Sequence, residues 1–376
     1  MTEPWLTHII KFLLAASVVA VTSACSPAEQ AMFTEYNERL ARVLDTQTGA
    51  SESSKSDLLP ANWPSRKELF QSNAAPTISV IELLALPDCG LKYLISQRNE
   101  ILAKHMNTAA QLHYEIDMIV ALKRCQNEFA NKMTSADISL LTKIEAEKQQ
   151  NITGHFLNLL FAEPETHLAL KPITKTVAGR SHQHEQDVIE AFDYFKGLSL
   201  LVSNLQQGTD ITLEQRATFS LEHTQQALSR LYNNRYFSEL VFSMQFAKTQ
   251  LAQATLYIQT VSDNNHCQQF SKQKIAILKN VLMLFYIQQQ QPYMVELIQS
   301  YQQIRAAVIG SLLTQTNLTP KQSQVVIYYN SGIDIELKKS SQEHARAWQT
   351  LLKQCNIQTQ SLVSGRKLNT LQSVVE

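Results

Sequence analysis

Glycine and proline are scarce in this chain, 9 and 10 of 376 residues, against roughly 7% and 5% in an average protein. A parallel sheet with crossover helices uses glycine at its tight turns and phosphate loops. The scarcity therefore argues against a doubly wound sheet or a closed barrel of alternating strands and helices. It suits long helices, whose interiors want neither residue. About one residue in ten is glutamine, a good helix former. With 44% hydrophobic residues there is enough apolar material for a core, and the length allows about two or three domains. The 33 basic residues are balanced by 33 acidic ones. A net charge of zero removes the bulk electrostatic drive toward nucleic acid, and no basic patch interleaved with aromatics stands out.

The N-terminus carries an address. Phe12 to Val21 is an apolar run, too short for a transmembrane helix, which needs about 20 residues. It fits the apolar region of a secretory signal, although Lys11 and the terminal amine are offset by Glu3. Thr22-Ser23-Ala24-Cys25-Ser26 follows and looks like a bacterial lipobox, where cleavage precedes the cysteine and diacylglycerol is joined to its sulfur. Thr22 stands where a branched aliphatic residue is usual. Residues 1–24 are thus expected to be a lipoprotein signal peptide and Cys25 the lipidated residue. Ser26 rather than Asp after the cysteine favours the outer membrane. No later segment reads as a span: the richest, Ile275 to Ile287, is short and interrupted by Lys279.

Past Cys25 the pattern is helical. Ala28 to Leu44 puts Phe33, Tyr36, Leu40 and Leu44 on one stripe, so residues 25–44 read as lipidated Cys plus first helix. Residues 45–77, polar at first and then broken by Trp63-Pro64 and Pro76, read as a flexible linker. Residues 78–376 read as an all-helical body. Within it, helices are expected near Ile78 to Leu86, on stripes starting at Leu91 and Leu112, over Ser135 to Phe161 with Ser135 as cap, and over Glu185 to Gln206. Pro164 to Gly179 reads as a loop, Pro292 as the start of a helix, and Ser340 to Asn356 as the last helix. Val325 to Tyr329 is β-branched and aromatic enough for a strand, but its neighbourhood argues for helix or loop. No fixed-period repeat supports a solenoid. The expected fold is all-α: antiparallel long helices, bundle-like or as stacked hairpins, stapled by two disulfides.

The staples come from cysteine arithmetic. Setting Cys25 aside leaves Cys89, Cys125, Cys267 and Cys355. An even number in an exported chain points to two bridges, with three possible connectivities. Cys89 opens one helix and Cys125 closes the next, so in an antiparallel hairpin they lie side by side. Cys267 opens a helix and Cys355 lies near the end of the last one. The expected pairs are Cys89–Cys125 and Cys267–Cys355. No CxxC pair supports a zinc site.

The same hairpin register places Arg98, on the apolar stripe of its helix, opposite Glu115. A buried guanidinium needs a partner, so Arg98 and Glu115 are expected to form a buried polar pair, joined by Asn99 or Tyr114 and structural in role. Cys89 to Lys104 (CGLKYLISQRNEILAK), Gln111 to Glu115 (QLHYE), Cys125 and Tyr36 to Asp45 (YNERLARVLD) together resemble a family of gammaproteobacterial lipoproteins with a domain of unknown function. That resemblance implies an envelope lipoprotein and brings no activity, substrate or catalytic residue.

Little else points to chemistry. Ser181-His182-Gln183-His184-Glu185 is the one His-rich cluster; it precedes a helix and has no evident third metal ligand. His113 with Glu115, or His105, has the groups of an acid–base set, but there is no GxSxG and no GxxxxGK[ST]. Phe192, Tyr194, Phe195, Phe237, Phe242 and Phe246 read as core. No catalytic residue, metal or cofactor is expected. The first functional expectation is a lipid-anchored, periplasm-facing interaction or scaffold protein of the outer membrane, attached to the membrane by its lipid, with an envelope protein as partner. The alternative is a helical binding protein for an envelope lipid or peptide, which an apolar cavity between helices with few polar groups would favour. An enzyme ranks third.

Overall fold

A computed structural model describes residues 28–46, 55–73, 78–99, 106–179, 181–263, 270–312 and 317–357. The α-helices are α1 Ala28–Leu44, α2 Arg66–Leu69, α3 Val80–Ala85, α4 Leu91–Asn99, α5 Thr108–Glu128, α6 Ser135–Ala162, α7 Pro164–Leu170, α8 His182–Gln206, α9 Leu213–Thr218, α10 Leu221–Leu231, α11 Tyr236–Asp263, α12 Lys272–Asn280, α13 Gln291–Leu312, α14 Pro320–Tyr329 and α15 Ile333–Gln354. Among the described residues there is no strand, so the chain is all-α.

Local chemistry sets many of the helix starts. Ser65 with Glu68, Ser79 with Glu82, Thr134 with Asp137, Thr212 with Gln215 and Thr319 with Gln322 form reciprocal capping boxes. The cap of α6 is therefore Thr134 rather than Ser135. Pro164 and Pro320 sit at helix starts, where a missing N–H costs nothing. This is why Pro164–Leu170 is helical and the expected loop begins only after it. Val325 to Tyr329 lies in α14, and Val325, Val326 and Tyr329 are buried by it. The helix expected from Pro292 is α13, which starts one residue earlier, at Gln291. Lys272 to Leu312 is continuous, through a π-helical stretch Val281–Gln290 whose wide ladder closes at Gln291, donating to Tyr286, just before the proline that cannot donate.

Most of the buried apolar residues form one core. α11 runs through it, packed on α1, α13 and α15, while α8 packs on α6, α10 and α13. Phe192, Phe195, Phe237, Phe242 and Phe246 are buried there and Tyr194 partly so, as their spacing implies. Part of the expected linker belongs to this core. Trp63 packs edge-on against Tyr328 and Tyr329, and Leu69 is buried. Gln71 N–H donates to Asn158 Oδ1 at 2.7 Å while Asn158 Nδ2 donates to Gln71 O at 2.9 Å. Residues 55–73 are thus a packed strap, held by one tryptophan and a reciprocal amide pair that composition alone hides. A second, smaller core lies under α3 and α4 and includes Leu86, Leu91, Met118, Leu122, Leu141 and Ile144.

A buried polar node ties the ends of the described chain together. Thr255 Oγ donates to Leu251 O at 2.7 Å, so it must accept from His344 Nδ1 at 2.9 Å. His344 Nε2 is then the bare nitrogen and accepts from Tyr36 Oη at 2.7 Å, while Trp348 Nε1 donates to Tyr36 Oη at 2.9 Å. α1, α11 and α15 meet here, and Tyr286 of the π-helical stretch packs edge-on against the imidazole at 4.6 Å between ring centres.

Burial pushes His344 down to about 3. Its folded form stays neutral while the unfolded chain takes up a proton below about 6.5. Stability is therefore full above that pH and falls as pH drops, by up to tenfold in the folding equilibrium per pH unit down to about 3. Urea unfolding between pH 7 and 4.5 should show this slope. His344→Gln should start less stable at pH 7 and show a shallower slope; an unchanged slope would mean that other groups set it.

Candidate functional site

α5 has two working faces. Toward α4 it presents Tyr114, Met118, Leu122 and Cys125; toward α6 it presents Glu115. Both neighbours run antiparallel to it. Cys125 is bonded to Cys89, with Cα atoms 5.3 Å apart, Arg124 donates to the Cys89 carbonyl, and further along Arg98 lies over the Tyr114 ring at 5.7 Å. On the other side Thr108 meets Glu163, Glu115 meets Lys148, and Gln126 meets Glu145 and Thr142.

The two hairpins leave a cleft between α4, α5 and α6. Its volume is about 210 Å³. Ile78, Leu91, Ile95, Met118, Leu122, Leu141 and Ile144 make the apolar wall, and Arg98, Tyr114 and Lys148 the polar end. Lys148 Nζ donates to Glu115 Oε2 at 2.6 Å, with both side chains at least nine-tenths buried, and lies 5.8 Å from the centre of the Tyr114 ring. Burial, then the neighbouring Glu115 carboxylate, pushes the Tyr114 phenol up to about 12, with Arg98 pulling the other way. His155, two helical turns beyond Lys148 on α6, is buried; burial holds it below the usual histidine range, Glu115 pulls it up, and Lys148 and Arg98 pull it down.

The expected register of the α4–α5 hairpin holds, but the expected ion pair does not form. Tyr114, not Glu115, faces Arg98. One residue further along α5 is about 100° of rotation, which turns Glu115 away from α4 and onto α6, where Lys148 takes it. Arg98 is partly exposed, contacts the Tyr114 ring and donates to Met106 Sδ at 3.8 Å. The hairpin consists of two helices, and a third, α6, packs on α5 as well. A signal for Lys148 was present: it interrupts the stripe Leu141, Ile144, Ile152 on α6 as Arg98 interrupts its own.

The other candidates are kept apart. His113 is about 200° from Glu115 around α5; its Nε2 is bonded to Thr224 Oγ on α10 at 2.7 Å, and burial pushes it down to about 4. It forms no acid–base set with Glu115. His182 and His184 are exposed at the start of α8, and among the described residues no three His, Cys, Asp or Glu side chains gather as metal ligands do. Two bridges are expected; Cys89–Cys125 is formed, while Cys267, and so the Cys267–Cys355 pairing, lies outside the described residues, as do Cys25 and His105. Among the described residues no helix is long and apolar enough to cross a membrane.

Fold and site together define an all-helical protein whose distinctive feature is a disulfide-braced, three-helix cleft with a buried ion pair at one end. Residues 33–359 match the family model described as "Protein of unknown function (DUF3080)", and the chain belongs to that family. None of the curated proteins and none of the solved structures matches it.

Removing one partner of a buried ion pair strands the other. Glu115→Ala and Lys148→Ala should each cost about 3–5 kcal/mol, and Glu115→Leu with Lys148→Met together much less. Denaturant unfolding arranged as a mutant cycle measures the coupling. Additive effects would show that the two charges do not depend on each other.

Proposed function

We propose that this protein is an envelope lipoprotein, of the gammaproteobacterial kind its sequence resembles, that holds an amphipathic molecule in the cleft between α4, α5 and α6. The observation that carries this reading is the cleft itself: seven aliphatic or thioether side chains around an open space, with only three polar side chains gathered at one end. Such a lining is the usual make-up of a ligand site. In this reading Cys25 carries diacylglycerol and fixes the protein to the outer membrane, facing the periplasm. Cys25 is three residues from the start of α1, a reach of at most about 10 Å, so the lipid would hold the body against the bilayer and raise its effective concentration there. The oxidised Cys89–Cys125 pair supports an oxidising compartment, in which Cys267–Cys355 is the second bridge.

A scaffold role is the second reading. It is favoured by Ile81, Leu84 and Tyr93 of α3 and α4, which are 83%, 68% and 66% exposed and suit a protein partner.

Three measurements test the proposal. Cys25→Ser should shift the protein out of the outer-membrane fraction; unchanged fractionation would mean that the lipid is not the anchor. Non-reducing peptide mapping should recover Cys89–Cys125 and Cys267–Cys355, and a mixed pair would overturn the second bridge. The neutral dye N-phenyl-1-naphthylamine should bind saturably to the Cys25→Ser chain, and Ile95→Trp, which fills the cleft, should weaken it at least tenfold, equivalent to about 1.4 kcal/mol. Absence of saturable binding would remove the cleft reading and leave the scaffold.

A further inference from the structure

We propose that the cleft selects a single alkyl chain bearing an anionic head, with the chain among Leu91, Ile95, Met118, Leu122, Leu141 and Ile144 and the head at Arg98, Tyr114 and Lys148. This rests on the binding reading above and names the ligand class it leaves open.

The wall argues for the chain. Among the described residues, no aromatic ring apart from Tyr114 at the polar end lines the space. Leucine, isoleucine and methionine side chains give a flexible apolar lining against which an alkyl chain can pack along its length. An apolar cavity of about 150 Å³ holds one benzene molecule. By proportion, 210 Å³ takes about eight carbons, and because the cleft is open, a longer chain continues out of it.

The polar end argues for the sign of the head. Among the described residues, both charged side chains on the lining are cations, Arg98 and Lys148. The carboxylate of Glu115 is not on the lining. It sits behind Lys148 and fixes the ammonium in place at 2.6 Å, which spares the ligand the cost of ordering a long side chain. The Tyr114 ring lies beside both cations, at 5.7 and 5.8 Å, and its phenol, held up near 12, keeps its proton and can donate it to an oxyanion. A guanidinium, an ammonium and a phenol offer only donors of this kind to a carboxylate or a phosphate monoester. A cationic head meets cationic donors and no carboxylate among the described lining residues, and a neutral alcohol forgoes the attraction between opposite charges. Free fatty acids and single-chain phospholipids share this chemistry.

The test is a competition on the full chain with Cys25→Ser, loaded with N-phenyl-1-naphthylamine. The competitors are decanoate, decyl phosphate, decanol and decyltrimethylammonium, each kept below the concentration at which it forms micelles. At least one of the two anions should displace the dye at about tenfold lower concentration than the alcohol or the cation, the ratio expected for one charge-assisted hydrogen bond. Preference for decanoate would point to a fatty acid, and preference for decyl phosphate to a phospholipid-like head; either supports the proposal. Arg98→Gln should reduce the anion's advantage to less than about threefold and Arg98→Lys should retain most of it, since the charge is kept. Should Arg98→Gln not fold, the wild-type series decides alone. Equal displacement by all four competitors, or strongest displacement by the cation, overturns the anionic head while leaving a bound chain in place. Failure of the dye to bind at all overturns the binding reading itself.

Discussion

The imidazole of His344 is where the fold closes on itself. One nitrogen donates to Thr255 on α11 and the other accepts from Tyr36 on α1, a residue 308 positions away. The tautomer is forced by the threonine, whose proton is already given to Leu251. A neutral imidazole offers one donor and one acceptor, and this site uses both. A protonated one would face Tyr36 Oη with a donor in place of the acceptor, and would carry a charge where there is no water to solvate it. The packing of α1 and α15 on α11 thus depends on a proton being absent. Such a node contributes less through the strength of its bonds than through the single arrangement of three helices that satisfies them.

At the edge of the molecule the same logic runs with charges. α5 is shared between two antiparallel neighbours and assigns successive residues to them, Tyr114 to α4 and Glu115 to α6. A buried Lys–Glu pair adds little net stability over an apolar pair of similar volume. What it does here is fix an ammonium at the end of an apolar cleft, with Tyr114 beside it. α4 is short, and its main packing partner is α5, so the Cys89–Cys125 bridge at one end and the Arg98–Tyr114 contact further along brace the outer wall. The more extensive core of the molecule lies around α8, α11 and α13; the cleft belongs to the smaller core.

Where the sequence was read well, the signal was local. Stripes such as Phe33, Tyr36, Leu40 and Leu44 need only the helical period to declare a buried face, and Cys89 pairs with Cys125 because a hairpin of two adjacent helices brings its open ends together. Where it was read poorly, a distant segment intervened. Residues 55–73 look like a linker until Trp63 meets Tyr328 and Gln71 meets Asn158, contacts about 265 and 87 positions apart in sequence. Pro292 marks the start of α13 to within a residue, but nothing in its immediate neighbours reveals that a π-helical stretch runs up to it. The place of Glu115 along α5 is legible in the sequence and its cation is not, because the rotation that turns it from α4 to α6 matters only once α6 is there.

By itself, then, the sequence determined that this protein is helical, where its principal helices run, which faces they bury, and that Cys89 and Cys125 meet. These follow from backbone propensity and short-range periodicity, which act within a few turns of chain. The tertiary structure alone decided that His344 bridges the first and last of the described helices, that Lys148 rather than Arg98 neutralises Glu115, and that three helices leave an apolar cleft with that pair at its end. A cavity is a property of side chains from separate helices failing to fill a shared space, and a buried charge takes whichever partner the packing brings nearest. Neither can be read along one strand of sequence, because both are set by distances between residues that the chain keeps far apart.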